Sequence, residues 1–278
     1  MIVSNLYIKT SDFKAWQRTT STDAADDAVI DDMIEQVSRF IDSFTGRHFF
    51  PTIQARLYNI PAFQDFNRNT IMLDDDLLSL TTLLNGDGTT IASSEYVLLS
   101  ANYTPYWAVK LRDTTSISWQ PNAAGSGEQV LSVAGTWGYH DKYGSAWIQA
   151  GTLGAAITDT TGLTATMTGG HTLVGQQVWR IDSEILQGTV STNTLTFNQR
   201  GDNFSTAATH LINAPVYVWY PMAQIKTAAQ QIVNAVYEKR FGENVSGKAT
   251  ITAMGVVLSP EDVPSSALRI LAPLMRQV

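Results

Sequence analysis

The chain reads as α+β: an antiparallel helix pair with a β-rich subdomain, plus an inserted small all-β module. Three observations lead there. Val29, Ile30, Met33, Ile34, Val37, Phe40, Ile41 and Phe44 fall at steps of three and four, which is one apolar stripe on a helix. Met222, Ile225, Ala229, Ile232, Val233 and Val236 repeat the pattern far downstream. Between the two stripes the helical period disappears, and short Thr-rich runs are punctuated by Gly and Asn.

The elements follow in order. Asp12 to Arg18 is long enough for one or two helical turns. Thr19 to Asp23 offers several N-caps for the first long helix, Asp23–Thr45. Asp23, Asp26 and Asp27 sit in its first turns, where carboxylates favour the helix dipole, and Gly46 suits the C′ position. Strands are expected at Ala55–Ile60, closed by Pro61, and at Leu77–Leu84. Asn85-Gly86-Asp87-Gly88 then signals a tight hairpin, because Asn and Gly tolerate positive φ. Glu95–Leu99, Ala108–Leu111 and Gln129–Trp137 read as further strands.

Thr and Gly dominate from Ile157 to Val218. Short strands are expected there at Thr164–Met167, Gln177–Ile181, Ile185–Val190, Thr194–Asn198 and Val216–Tyr220. Pro221 fits the first position of the second long helix, Pro221–Phe241. Glu243 to Gly255 is polar, loop or extended. Ser259-Pro260-Glu261-Asp262 resembles a second capped start, leading to a short apolar face that Pro273 kinks or stops. The expected division is a core over residues 1–150, an inserted module over 151–215 and the core continued over 216–278. The ends of the module, Ala150 and Pro215, then have to lie close together.

At 278 residues, 44% hydrophobic and 15% charged, the chain is long and apolar enough for one large or two modest globular domains. No apolar run approaches the roughly 20 residues of a membrane span, and Met1 to Asn5 shows no secretory pattern. The absence of cysteine excludes disulfides and thiolate catalysis and suits a reducing cytosol. A net charge of −7 argues against a nucleic-acid clamp, which needs basic residues to displace phosphate counterions.

No chemistry stands out. His48, His140, His171 and His210 are scattered without metal-ligand spacing and read as turn or surface residues. Asp74-Asp75-Asp76 reads as a solvated turn before a strand, because Leu77-Leu78 stand where a calcium loop would continue with oxygen ligands. There is no GxSxG and no phosphate-cradling Gly loop. Glu184 and Arg200 are placed to pair across two strands of the module. The tryptophans could form a sugar platform, but core or interface is the commoner use: core for Trp137, interface or core for Trp107. The expectation is a protein without catalytic residues, cofactor or metal, and not an enzyme.

The order of several segments carries a resemblance. They are Thr45-Gly46-Arg47-His48-Phe49, Leu73-Asp74-Asp75-Asp76-Leu77-Leu78-Ser79-Leu80 before Asn85-Gly86-Asp87-Gly88, Tyr96-Val97-Leu98, Asn102-Tyr103-Thr104-Pro105-Tyr106, Trp137-Gly138-Tyr139, and Pro221 through Tyr237-Glu238-Lys239-Arg240-Phe241. In this order they resemble the head–tail connector (adaptor) proteins of tailed bacteriophages, over about three quarters of the chain. Gly151–Pro215 is foreign to the shorter members. Its Trp179-Arg180-Ile181-Asp182-Ser183-Glu184, Leu195 to Gly201, Thr206 to His210 and Ala214-Pro215-Val216 resemble a small β module recurring in phage virion proteins.

The resemblance implies a structural virion protein of the neck, assembled in the host cytoplasm. It implies a homo-oligomeric ring, twelvefold by family analogy, docked under the portal and bound on its other side to a neck or terminator protein. DNA would pass through without specific binding, and no membrane is involved. Leu268, Ile270, Leu271, Leu274 and Met275 would form the portal-binding arm. Asp26, Asp27, Asp31 and Asp32 would line an acidic channel. The alternatives are a stopper or tail-terminator ring, or a carbohydrate-binding or carbohydrate-cleaving β-module protein.

Overall fold

The computed structural model describes residues 5–18, 24–62, 68–168, 173, 175–241, 251–252, 255–256 and 263–276. It corrects the α+β expectation. The chain is mainly β, with 11 strands in two antiparallel sheets and 25% helix, rather than a helix pair carrying a small β module. The strands outrun their sequence signals. β1 covers Thr52–Tyr58, β2 is a 15-residue strand over Thr70–Leu84, and β6, over Trp147–Leu153, had no recognisable alternation. The chain divides into two compact units, residues 50–146 with 203–205, and the remainder.

The first unit is a five-stranded sheet, ordered β1-β5-β2-β4-β3, with β3 at Tyr96–Leu99, β4 at Tyr106–Leu111 and β5 at Leu131–Trp137. One face carries its core of Ile71, Leu77, Leu83, Val109, Leu131, Val133 and fully buried Trp137. The Trp137 indole donates to the Gln54 carbonyl at 3.0 Å, and the Arg56 guanidinium lies 4.6 Å from its ring. Arg56 also pairs with Asp75 at 2.6 Å and Asp74 at 3.2 Å. Asp74-Asp75-Asp76 is therefore no solvated turn. It lies inside β2, at a register shift between Met72 and Leu77, with Asp75 and Asp76 buried. Arg56 supplies the countercharge that makes this tolerable. Gly135 is required where β5 meets β2, since a Cβ there would stand 2.1 Å from the Ser79 carbonyl oxygen.

The opposite face of this sheet is different. Ile53, Ala55 and Leu57 on β1 stand in register with Thr136, Ala134 and Ser132 on β5. All are exposed or half-buried, and none is charged. The Ile53 amide points away from β5 and donates to the Asn203 carbonyl at 2.9 Å. By alternation, the peptides of Ala55 and Leu57 also point outward.

The second unit joins four helices to a barrel. α1 (Thr10–Gln17), α2 (Ala24–Thr45), α3 (Ala223–Phe241) and α4 (Ser265–Leu271) pack on one another. Most of the long stripes read from the sequence is buried, Ile30, Met33, Ile34, Val37 and Ile41 on α2 and Ile225, Ala229, Ile232, Val233 and Val236 on α3, while Val29, Phe40 and Phe44 are half-buried. Phe13 meets Tyr237 edge-on at 5.2 Å, and Lys226 pairs with Asp12 at 2.9 Å. The Ser259–Asp262 start lies outside the described residues. α4 begins at Ser265 and gives way to a 3-10 turn containing Pro273, as its missing N–H requires.

The barrel closes in the order β10-β7-β6-β11-β8-β9, with β7 at Thr164–Thr168, β8 at Gln177–Ile181, β9 at Glu184–Ser191, β10 at Thr194–Asp202 and β11 at Pro215–Trp219. It extends beyond residues 151–215 at both ends. Its core holds Leu153, Met167, Trp179, Ile181, Leu186, Leu195, Phe197, Val216 and Val218. The Asn5 amide donates to buried Gln187 Oε1 at 2.7 Å, which ties the segment before α1 to β9.

Candidate functional site

The densest polar cluster of the described residues lies at one end of the barrel. Ile181 and Glu184 pair in register, so Asp182 and Ser183 form the tight turn between β8 and β9, with Asp182 at φ +50°. That turn puts Glu184 at the first position of β9. Register shifts in β10 bring Arg200 beside it. The His210–Ile157 bridge, with bonds of 2.9 Å in both directions, fixes the third member.

Glu184 has no exposed surface. Its carboxylate accepts from Arg200 Nε and Nη2, each at 2.9 Å, and from the amides of Gly201 at 2.8 Å and Ala208 at 3.0 Å. His210 Nε2 lies 2.8 Å from the same carboxylate, and His210 Nδ1 lies 2.8 Å from Asp182 Oδ2. Arg200 spends its remaining N–H groups on the carbonyls of Asp159 at 3.1 Å, Gly162 at 3.3 Å and Ala208 at 2.5 Å. Burial pushes the Glu184 carboxyl upward, but Arg200, His210 and the two amides outweigh it and hold the group at about 2.

This arrangement limits the chemistry. A carboxylate held at about 2 stays ionised near neutrality and cannot serve as a general acid. Its lone pairs are filled by donors from the same chain. The cluster is a latch: it fastens the segment around Asp159 to Gly162 and the segment around Ala208 to His210 onto β9 and β10. The Glu184–Arg200 pairing expected from sequence is present. His210 and His140 are buried rather than turn or surface residues, at 3% and 6% exposure. His48 is half-buried, and His171 lies outside the described residues. His210 was missed because its partners stand 26 and 28 positions away, on strands whose register the sequence does not disclose.

The other candidates are scattered. Asp27 pairs with Lys14, and Asp31 accepts from the Thr10 hydroxyl, so both serve the α1–α2 contact. Asp32 is exposed, and the Asp26 side chain lies outside the described residues. Leu271 and Leu274 are buried, Leu268 and Ile270 are half-buried, and Met275 is 44% exposed. Trp107 is largely exposed. A hollow on the barrel beside Asp159 is lined by Ala155, Thr158, Thr164, Thr166 and Thr194, with no aromatic ring for a sugar to stack on. Among the described residues no group of His, Asp or Glu could hold a metal ion, and no helix is long and apolar enough to cross a membrane. Comparison with family models, curated proteins and solved structures found no match.

Proposed function

We propose that the chain is a structural virion protein: a ring-forming head–tail connector that docks under the portal, bridges capsid to tail and forms part of the DNA channel. The observation that carries this reading is the closed Glu184–Arg200–His210 cluster. The most elaborate polar constellation of the barrel spends its donors and acceptors on holding the fold, which suits a load-carrying part better than a reaction site. The order of the connector-like segments supplies the identity of the part, and 25 acidic against 18 basic residues suit a conduit that must not grip DNA. The glycan reading lacks an aromatic platform at the barrel hollow.

The test is assembly. Purified protein is examined by native mass spectrometry and negative-stain imaging, alone and with portal rings. Closed rings that cap the portal are expected. Protein that stays monomeric under both conditions, or that binds a tail tube and not the portal, would overturn the assignment.

A further inference from the structure

A closed ring of identical subunits needs a head-to-tail contact between two different patches of the same chain. The five-stranded sheet has two such patches, its edges. β1 pairs only with β5, and β3 pairs only with β4. On β1 the outward peptides after Ile53 are those of Ala55 and Leu57. On β3 the Glu95 carbonyl accepts from the Arg112 amide at 2.9 Å, so Glu95 and Val97 face β4 while Tyr96 and Leu98 point away. Among the described residues, these outward amides and carbonyls meet no partner. Unpaired strand edges are templates for another strand.

Charge selects the same place. Every copy carries −7, so copies repel except where neither presents charge. β3 reads Tyr-Val-Leu-Leu, without a charge. On β1 the one charged residue, Arg56, is committed to Asp74 and Asp75. Leu57, 57% exposed, heads the uncharged outer face beside the edge. Neither strand contains Pro or Lys, the usual guards of an edge.

We propose that copies of this chain join edge to edge, β1 of one copy adding to β3 of the next, so that the five-stranded sheets run on from subunit to subunit around the ring. The proposal rests on the ring reading above. Pairing two identical edges would give a closed twofold dimer; pairing β1 with β3 repeats and can close into a ring.

Proline tests it, because its missing N–H matters only where that N–H is used. Ala55→Pro and Leu98→Pro remove outward amides and no bond of the monomer. Leu57→Glu adds a charge on the outer face without touching the core. Full-length variants are compared by native mass spectrometry and thermal melting. All three should keep the wild-type melting temperature within a few degrees, and their self-association should weaken at least tenfold. Wild-type rings with variants that assemble equally well would overturn the edge contact and leave the ring reading standing. Loss of assembly in Ala55→Pro but not in Leu98→Pro would overturn β3 as the partner strand. A wild-type protein that is monomeric, or a twofold dimer, would overturn both.

Discussion

Arg200 reaches Glu184 through two bonds of 2.9 Å, Nε to one carboxylate oxygen and Nη2 to the other, with side-chain exposures of 4% and 0%. The pair is the centre of the barrel's polar latch, and breaking it from one side strands a buried charge. Glu184→Gln and Arg200→Met should each cost about 3–5 kcal/mol in chemical denaturation. A cost below about 1 kcal/mol would show that the latch does not hold the barrel together.

The same carboxyl sets an acid limit. Its folded value is about 2 against an ordinary 4.5. A depressed carboxylate contributes stability that is present above the unfolded value and lost as pH falls through the folded one. Wild-type stability should therefore fall from pH 4.5 toward pH 2 more steeply than that of Glu184→Gln, measured by denaturation at each pH.

Asp42 acts in the opposite sense. Burial raises its carboxyl to about 6, against the opposing pull of Arg39 and the bond from Tyr7. A raised group contributes stability that is present below the unfolded value of 3.8 and lost as pH rises through the folded one. Asp42→Asn, which can still accept from the Tyr7 hydroxyl, should remove a loss of stability between pH 4 and 7 that the wild type shows.

Gly135→Ala should destabilise the five-stranded sheet by about 2 kcal/mol or more, because its Cβ would meet the Ser79 carbonyl oxygen at 2.1 Å and the strands must separate. Gly144→Ala, with no heavy atom within 4 Å, is the control and should be near neutral. Equal melting temperatures for the two would refute the close-approach argument.

The C-terminal apolar residues divide by burial. Leu271→Asp should destabilise the monomer by about 3 kcal/mol, since Leu271 is fully buried. Met275→Asp should leave the melting temperature unchanged, because Met275 is 44% exposed. If the end of the chain is the portal arm, Met275→Asp weakens portal binding in a pull-down. Unchanged binding would remove Met275 from that arm.

Local periodicity made the two long helices and most strands legible. The helix expected over Asp23–Thr45 matches α2 within a residue, and Gln177–Ile181 coincides with β8. The fold class was not legible, because β content is decided by pairing. Trp147-Ile148-Gln149-Ala150 has no alternation of its own and is a strand because β11 pairs along it, Trp147 with Trp219, Ile148 with Val218 and Gln149 with Tyr217. Asp74-Asp75-Asp76 carries a turn composition, yet it lies within β2, where Arg56, 18 and 19 positions earlier, pairs with Asp74 and Asp75. At the latch, the Glu184–Arg200 pair was visible as opposite charges on adjoining strands. His210 was not, since a lone histidine gives no signal until the barrel closes.

The barrel begins and ends on neighbouring strands. Trp147 opens β6 directly opposite Trp219, the last residue of β11, and their rings meet edge-on at 5.1 Å. The chain enters and leaves the barrel across a seam one strand-pair wide, about 5 Å between backbones, and the Asn5–Gln187 bond is a second tie to the segment before α1. Such a cassette can be exchanged for another whose ends meet at the same spacing, provided that the replacement keeps the Asn5–Gln187 bond and the Asn203 bonds to Pro51 and Ile53. Variation in this protein should therefore accumulate in the barrel as whole-unit replacement, and a tag or sensor grafted across the Trp147–Trp219 seam has a ready-made socket.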